Sequence, residues 1–270
     1  MSGRLTIVMP AAGQGMRFLR AGVTTPKPLI SFSLESWFGD QVRKPMFAHA
    51  MAGCDPIWEA VIGIPVGKVG DYWHAVRDSH GARPGVNHYI TIAHSSGQSH
   101  TIQQLLGHVH DGEVLVLNSD QSFAPGVLQN FVSRARELVY DKAVICFASR
   151  SPAYSYVEVL PESQNDHEAT FASAVEKHPV STWAIAGAFW FRDARQLARA
   201  LTRQEAVSGT DEERYLSEAM NCLPGRGWAL RIPDHQMRRW GTPEDLAQDA
   251  MVRTLDPEVD RALAPFRKPG

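Results

Sequence analysis

A glycine-rich turn follows the first apolar run of the chain. After Leu5–Met9 the sequence continues as PAAGQG at residues 10–15, and two cations, Arg17 and Lys27, follow at short spacing. Backbone N–H groups in such a turn can bind phosphate, and two nearby cations can neutralise a triphosphate. A Rossmann site would need a third glycine, where Phe18 stands, and a P-loop would need Gly-Lys-Ser/Thr. The turn therefore predicts a phosphate site of another type.

An aspartate follows the fourth predicted strand. Val114–Asn118 is an apolar run, and Asp120 comes two residues after it. Ligands of doubly wound sheets bind at the carboxyl ends of the strands, and Mg²⁺ takes one or two carboxylates together with substrate phosphate oxygens. We therefore predict Asp120 as a magnesium ligand. The alternative is that Asp120 caps the next helix or turn.

Residues 11–30 carry a recognisable signature. The sequence AAGQGMRFLRAGVTTPKPLI resembles that of the sugar-phosphate nucleotidyltransferases, G-x-G-x-R followed by P-K-P-L. The resemblance implies a nucleotide-diphospho-sugar transferase fold and transfer of a nucleoside monophosphate from an NTP to a phosphorylated small molecule, with release of pyrophosphate. It implies catalytic phosphate contacts from Arg17 and Lys27 and a Mg²⁺ cofactor on Asp120. It further implies a nucleotide-binding loop formed by Ala11, Ala12, Gly13 and Gly15.

Three further segments resemble a capsule- and surface-polysaccharide-associated subgroup of this family. They are NSDQ at residues 118–121, SYVEV at 155–159 and VEKHPVSTWAIAGAFWF at 175–191. The chain also departs from the family pattern, because Arg239 stands two residues before Gly-Thr-Pro, where many members have a second metal-binding aspartate. Asp234 is the nearby candidate to replace it. Gly241–Glu244 is by itself typical of a turn and a helix start.

The connection His94–Thr101 follows the third predicted strand. Gly97 permits close approach of a ligand, and Gln98 offers both a donor and an acceptor, so both are candidates for base recognition. The resemblance places base recognition in this connection. A helix cap led by Ser99 explains the segment equally well. Relatives in the subgroup that use CTP favour a pyrimidine nucleotide.

Glu176 and Lys177 are the predicted acceptor site. In the resembled family this pair binds the acceptor, with the glutamate on sugar hydroxyls and the lysine facing the phosphate, and Gly187 completes the site. An isolated Glu-Lys pair would more often be a solvated strand end. Trp183 lies near enough in sequence to form a wall of the site.

The elements that position these residues follow from the apolar runs. Short runs alternating with helical patterns predict an α/β fold with a doubly wound, mostly parallel sheet, and longer β-like stretches after Pro152 predict a small antiparallel lobe. Residues 31–44 have no clean period. The predicted strands are Leu5–Met9, Ala60–Pro65, Tyr89–Ala93, Val114–Asn118 and Ala143–Ala148, then Tyr154–Leu160, Phe171–Lys177 and Trp183–Arg192, and the later predicted helices are Asp193–Arg203, Asp211–Cys222 and Pro243–Thr254.

The length favours a single domain over residues 1–270. We expect a nucleotide-binding half at about 1–150, an acceptor-binding lobe at about 151–240, and a C-terminal helix and tail at about 241–270.

Charge and cysteine content limit the classes of partner and the cellular compartment that we expect. The chain has 27 basic and 29 acidic residues and a formal charge of −2, so we expect neither nucleic acid nor a membrane as partner. The three separated cysteines argue against a disulfide framework or zinc cluster, and the His108/His110 pair is typical of a helix end. The amino-terminal run is too short for a signal peptide, so we expect a cytoplasmic protein. The sequence leaves the oligomeric state open.

Two other functions remain open at this point. A glycosyltransferase shares the nucleotide-binding sheet and the metal carboxylate, although its usual Asp-x-Asp stands here as Asn118-Ser119-Asp120. A non-catalytic nucleotide-binding module is the second alternative, because the second aspartate is missing. Release of pyrophosphate separates the predicted enzyme from both. The chain has no GxSxG motif, which disfavours a hydrolase.

Overall fold

The computed structural model describes residues 4–13, 15–37, 39–78, 87–93, 95–207 and 213–268. The strands in these residues are β1 (Leu5–Pro10), β2 (Ser31–Glu35), β3 (Gln41–Pro45), β4 (Glu59–Pro65), β5 (Asn87–Ile92), β6 (Glu113–Leu117), β7 (Gln121–Phe123), β8 (Lys142–Ala148), β9 (Tyr156–Val159), β10 (Glu168–Val175), β11 (Trp183–Phe191), β12 (Gly227–Arg231), β13 (Met237–Arg239) and β14 (Val252–Leu255).

The helices alternate with these strands through most of the chain. They are α1 (Met16–Arg20), α2 (Met46–Met51), α3 (Val69–Asp78), α4 (Gln98–Leu106), α5 (Val127–Glu137), α6 (Ala194–Val207), α7 (Leu216–Ala219), α8 (Pro243–Gln248) and α9 (Pro257–Leu263). Single turns of 3₁₀ helix lie at Lys27–Leu29, Pro161–Ser163, Met220–Cys222, Asp234–Gln236 and Ala264–Phe266.

A central sheet contains nine of the described strands, in the order β5-β4-β1-β6-β11-β8-β12-β10-β9. The first four are mutually parallel. β6 is buried at every position, as expected for a strand covered by helices on both faces. The predicted doubly wound α/β fold is confirmed in this half, and the carboxyl ends of β1, β4 and β6 share one edge.

The second half of the same sheet is mixed. β11 runs antiparallel to both β6 and β8 and lies between them, whereas β12 is parallel to β8. All nine residues of β11, WAIAGAFWF, are buried, because the strand is apolar on both faces and can fill a central position. The stretches predicted as a lobe over the sheet edge therefore extend the sheet itself, with β9 and β10 antiparallel at its far end.

The prediction of one helix over Pro243–Thr254 is wrong in its second half. α8 ends at Gln248, and residues 252–255 form β14, which pairs with β2 in a three-stranded sheet β14-β2-β3. The physical reason lies at Asp249, whose backbone is extended. Its carboxylate accepts hydrogen bonds from Trp240 Nε1 at 2.8 Å and from the Met251 backbone N–H at 2.9 Å, which stabilises a turn in place of another helical turn.

The other late helices agree in kind with the sequence patterns. α6 confirms the helix predicted at Asp193–Arg203. Of the predicted helix Asp211–Cys222, residues 211 and 212 lie outside the described residues, and the remainder contains α7 and the 3₁₀ turn Met220–Cys222.

The apolar core lies on both faces of the central sheet, and a third cluster around Phe32 and Trp240 lies under the three-stranded sheet. Among the described residues, Cys54, Cys146 and Cys222 form no disulfide bond. Among the described residues no helix has the length and apolar character needed to cross a membrane.

Candidate active site

Lys27 and Asp120 form an ion pair at the carboxyl edge of the parallel strands. Lys27 Nζ lies 2.5 Å from Asp120 Oδ2 and donates a second hydrogen bond to the Gly241 carbonyl oxygen at 3.0 Å. Lys27 opens the 3₁₀ turn after Pro26, and Asp120 lies in the turn between β6 and β7. Three segments distant in the sequence thus meet at one ammonium group.

The glycine turn is shaped around Lys27. Gly15 has φ +61°, and a Cβ there would lie 2.8 Å from the Cβ of Lys27. Only glycine fits both the left-handed backbone and this contact. Phe18 is buried below the turn, with its ring centroid 5.5 Å from Lys27 Nζ. The spacing between the glycines and the lysine therefore reflects direct packing.

Gly13 and Arg17 are open to a ligand. A Cβ on Gly13 would meet no atom of the described residues within 4 Å apart from its chain neighbours, and Gly13 is exposed. Arg17 is an exposed residue of α1, and it makes no ion pair with any residue the structure describes. The backbone of Ala11 is held by two hydrogen bonds: its N–H donates to the Gly63 carbonyl oxygen at 3.0 Å, and its carbonyl accepts the Tyr72 hydroxyl at 2.9 Å. Ala12 follows, half-buried.

The carboxylate of Asp120 has one oxygen without a partner. Oδ1 is buried and accepts no hydrogen bond from any described residue, while Oδ2 faces Lys27. The Asp120 carbonyl accepts the Trp240 N–H at 2.8 Å, which fixes the turn. A buried carboxylate oxygen without a donor is suited to a hard divalent cation that takes its other ligands from phosphates. The residues present therefore fit a magnesium ion held by a single protein carboxylate.

Arg239 and Asp234 pair with each other. Arg239 Nη1 lies 3.7 Å from Asp234 Oδ1, and the Asp234 side chain is 68% exposed. Asp234 is thus directed to Arg239. The described residues contain no group of three or more His, Cys, Asp or Glu that could hold a metal. Sequence reasoning overlooked Asp245, which flanks Gly241 opposite Asp120 and accepts the Thr242 N–H at 3.1 Å in a capping box.

Gln98 is hydrogen-bonded within the protein. Its Nε2 donates to Asn118 Oδ1 at 2.7 Å, and its Oε1 accepts the Leu216 N–H at 3.4 Å. Gly97 has φ +136°, and a Cβ there would lie 2.8 Å from the backbone nitrogen of Arg214. The alternative of a cap led by Ser99 has no support, because α4 has no side-chain cap and Ser99 Oγ has no partner among the described residues. His94, the start of this connection, lies outside the described residues.

Glu176 is held by two hydroxyl groups. Ser155 Oγ donates to Glu176 Oε2, and Ser217 Oγ donates to the same oxygen at 2.8 Å. Ser155 belongs to the SYVEV segment, so the sequence carried a signal for it. Ser217 lies on α7, 41 residues after Glu176, and no motif in the sequence pointed to it.

Lys177 is turned onto Tyr215. It has φ +53°, its ammonium lies 4.1 Å from the Tyr215 ring centroid and donates to the Tyr215 hydroxyl, and a looser 3.9 Å contact joins it to Glu176. Burial, together with the hydrogen bond to Glu213, raises the pKa of Tyr215. The lysine therefore lies against a neutral hydroxyl.

Gly187 connects β11 to the turn that carries Asp120. It lies in a bulge of β11 with φ +69°, and a Cβ there would lie 2.4 Å from Gln121 Oε1. Its carbonyl accepts the Asn118 N–H at 2.9 Å. Residues 118–121, which include Asp120, therefore contact both a predicted nucleotide-binding residue, Gln98, and a predicted acceptor-binding residue, Gly187.

Solved structures share this fold over nearly the whole chain. A UDP-glucose pyrophosphorylase complexed with UDP-glucose aligns with a TM-score of 0.72 and 16% identity, over 97% of this chain and 98% of the other. A UTP-bound UGPase from Acinetobacter baumannii gives 0.68 and 15%, over 97% and 93%. The inositol-1-phosphate CTP transferase from T. maritima gives 0.64 and 13%, over 98% and 97%.

At these identities the likeness establishes a common fold, and it confirms the nucleotide-diphospho-sugar transferase fold predicted from the sequence. Neither a family model nor a curated protein matches the chain.

Proposed function

We propose that this chain is a nucleotidyltransferase that moves a nucleoside monophosphate from an NTP to a phosphorylated small molecule and releases pyrophosphate. The observation that carries the proposal is the Lys27–Asp120 pair beside the glycine turn, with one carboxylate oxygen left without a partner. A cation, an anion-binding turn and a cation-binding carboxylate are the groups that phosphoryl chemistry requires at one place. The fold shared with nucleotide-sugar pyrophosphorylases supports the same reaction.

In the proposed reaction an oxygen of the acceptor's phosphate attacks the α-phosphorus of the NTP. The new O–P bond forms as the bond to the β-phosphate bridging oxygen breaks, and pyrophosphate leaves with that electron pair. The attacking oxygen is already anionic near neutral pH, so no strong general base is required. Catalysis then rests on in-line positioning and charge neutralisation, to which Arg17 and Lys27 contribute as cations and Ala11, Ala12, Gly13 and Gly15 as the phosphate-binding turn.

Asp120 is the residue that would hold Mg²⁺. The ion, when bound, neutralises charge on the phosphate oxygens. Lys27 is placed to hold Oδ2 of the same carboxylate, which leaves Oδ1 for the cation.

The substrates follow from the two sides of the site. A pyrimidine nucleotide is favoured, since neighbours are described with UDP-glucose, UTP and CTP. Gly97 and Gln98 shape the base side. On the acceptor side, Glu176 offers Oε1 to a sugar hydroxyl, Lys177 adds positive charge beside the phosphate from its place on Tyr215, and Gly187 keeps the strand close to the turn. A sugar phosphate used for polysaccharide precursors is the acceptor we favour.

We further assign the nucleotide to the half at about 1–150 and the acceptor to about 151–240, followed by the C-terminal segment at about 241–270. Three cysteines that form no disulfide bond among the described residues agree with a reaction in the reducing cytoplasm.

Pyrophosphate release tests the function directly. The chain is incubated with Mg²⁺, each of CTP, UTP, dTTP, ATP and GTP, and a panel of sugar and polyol phosphates, and pyrophosphate is measured. We expect release with one base and with phosphorylated acceptors only. Lys27→Gln should remove it, whereas the matched control Arg195→Gln, which breaks the exposed pair with Asp111, should not. Transfer of sugar from a nucleotide sugar without pyrophosphate would instead show a glycosyltransferase, and NTP binding without turnover a binding module.

A further inference from the structure

Arg239 is fixed beside the candidate metal carboxylate. It lies on β13, which pairs with β7 so that Arg239 faces Gln121, the residue after Asp120. The next residue, Trp240, donates its N–H to the Asp120 carbonyl at 2.8 Å. The position of Arg239 is therefore as well defined as that of the carboxylate.

The guanidinium group of Arg239 rests on an aromatic platform. Its central carbon lies 4.3 Å from the Phe147 ring centroid and 5.8 Å from that of Tyr154. Stacking on aromatic faces positions a guanidinium while leaving its in-plane N–H donors free for other partners.

Those donors are available to a ligand. Within the part of the chain that the structure describes, the ion-pair partner of Arg239 is Asp234 at 3.7 Å, which is longer than a hydrogen bond. The Arg239 side chain is 27% exposed, so the group is neither buried nor fully solvated. Asp120, for its part, pairs with Lys27. Arg239 thus has donor capacity that no described residue uses.

The platform continues directly into the acceptor segment. The Tyr154 carbonyl accepts the Lys177 N–H at 3.1 Å, so the ring under Arg239 belongs to the same turn that supports Lys177. The ammonium of Lys177 is itself turned onto Tyr215. Arg239 is therefore linked through Gln121 to the Asp120 turn and through the Tyr154 ring to the segment that supports Lys177.

We propose that Arg239 binds the phosphate of the acceptor and orients its attacking oxygen; this assignment rests on the proposed function. A guanidinium fork can hold two phosphate oxygens and leave the third free to attack. The positive charge of Arg239 near the Asp120 turn favours an anion here and leaves the divalent cation to Asp120. Arg239 is thus a substrate-binding residue.

The direct test uses side-chain NMR of the full chain labelled with ¹⁵N-arginine. The Arg239 Nε–H signal is assigned by its loss in Arg239→Lys, and methyl phosphate is titrated at constant ionic strength, with sodium chloride as the matched control. We expect a saturable shift of the Arg239 signal, while the signal of Arg238, whose guanidinium pairs with Asp249 and covers Trp37, stays fixed. The proposal is overturned if the Arg239 signal stays unchanged up to methyl phosphate concentrations that saturate the shifts of other arginine signals.

Turnover provides the second test and separates the two proposals. We expect Arg239→Gln to raise the KM for the acceptor at least about tenfold while the KM for the NTP changes less than about twofold. The acceptor KM of Arg239→Lys should lie between those of the wild-type chain and Arg239→Gln. If the wild-type chain releases pyrophosphate but Arg239→Gln leaves the acceptor KM unchanged, the role of Arg239 falls and the function stands. If the wild-type chain releases none but methyl phosphate shifts Arg239, the function falls and the anion site stands.

Discussion

The ammonium of Lys27 lies 2.5 Å from Oδ2 of Asp120, although 93 residues separate the two in the sequence. Both side chains are largely shielded, at 16% and 19% exposure, so their attraction is screened less than that of a surface pair. The contact brings the proline-flanked lysine, the end of β6 and the Gly241 carbonyl together before any substrate arrives. The site is thus organised in the free protein, which is what electrostatic catalysis needs.

Lys27→Gln and Asp120→Asn should each lower kcat/KM for pyrophosphate release by at least about 100-fold, because the first removes a cation that neutralises the reacting phosphates and the second removes the carboxylate that would hold Mg²⁺. Each also leaves the partner charge unpaired, and we expect a loss of up to about 3 kcal/mol in the free energy of unfolding, with the fold retained. Circular dichroism and urea unfolding measure the second effect. Near-normal turnover in either variant would remove that residue from the mechanism.

Gly13→Ala should affect the ligand and not the fold. Apart from its chain neighbours, a Cβ at Gly13 meets no atom within 4 Å in the part of the chain that the structure describes, so the variant should unfold like the wild-type chain in the absence of nucleotide. A phosphate held by the turn approaches the backbone closely, and the methyl group should weaken NTP binding by about tenfold or more. Isothermal titration with the preferred NTP measures the effect. Wild-type affinity in this variant would place the phosphates away from Gly13.

The parallel half of the fold followed from the sequence because its strands are apolar runs of the right length. Strands β2 and β3 did not. Phe32 and Leu34 alternate with polar residues and are buried, but the strand has only five residues and a turn follows at once, so a window over residues 31–44 averages the alternation away. The end of α8 was missed for another reason: it depends on the contact of Asp249 with Trp240, which no local pattern contains.

The candidate site divides in the same way. Asp120 and the glycine turn could be predicted as candidates because ligands meet the carboxyl ends of parallel strands, a rule that needs only the order of elements. Ser217 and Tyr215 were not found, because they reach Glu176 and Lys177 from α7 and the residue before it through tertiary packing. Gln98 is a candidate for base recognition because its amide offers a donor and an acceptor, but the hydrogen bond of that amide to Asn118 was not visible in the sequence. Side-chain partners of this kind depend on register and packing that spacing does not encode.

Gly187→Ala should destabilise the chain more than Gly126→Ala does. Both glycines have positive φ, at +69° and +85°, so both variants carry the cost of a left-handed backbone, about 1 kcal/mol. Only at Gly187 does the new Cβ collide, at 2.4 Å from Gln121 Oε1, whereas at Gly126 it meets nothing within 4 Å. We expect an additional loss of about 1–3 kcal/mol and a raised acceptor KM for Gly187→Ala alone. Equal stability of the two variants would mean that Gln121 moves aside freely.

His49 should make the folded state sensitive to mild acid. Burial lowers the pKa of His49 to about 4, and its Nε2 lies 3.0 Å from the Phe32 carbonyl oxygen in a cluster with Trp240. Between its ordinary pKa of about 6.5 and about 4, the unfolded chain binds a proton that the folded chain does not, so the free energy of unfolding falls as the pH is lowered through this window. From pH 7.5 to pH 5 the loss due to His49 should be about 2 kcal/mol.

Urea unfolding of the wild-type chain and of His49→Gln, each at pH 7.5 and pH 5, isolates this contribution. The glutamine can still donate to the Phe32 carbonyl but does not titrate, so the pH-dependent loss should be smaller in the variant by about 2 kcal/mol, whatever its stability at pH 7.5. Other titrating groups contribute equally to both chains and cancel in the difference. An equal loss in both chains would mean that His49 accepts a proton in the folded state as readily as in the unfolded one, and that burial in this aromatic cluster does not hold it neutral.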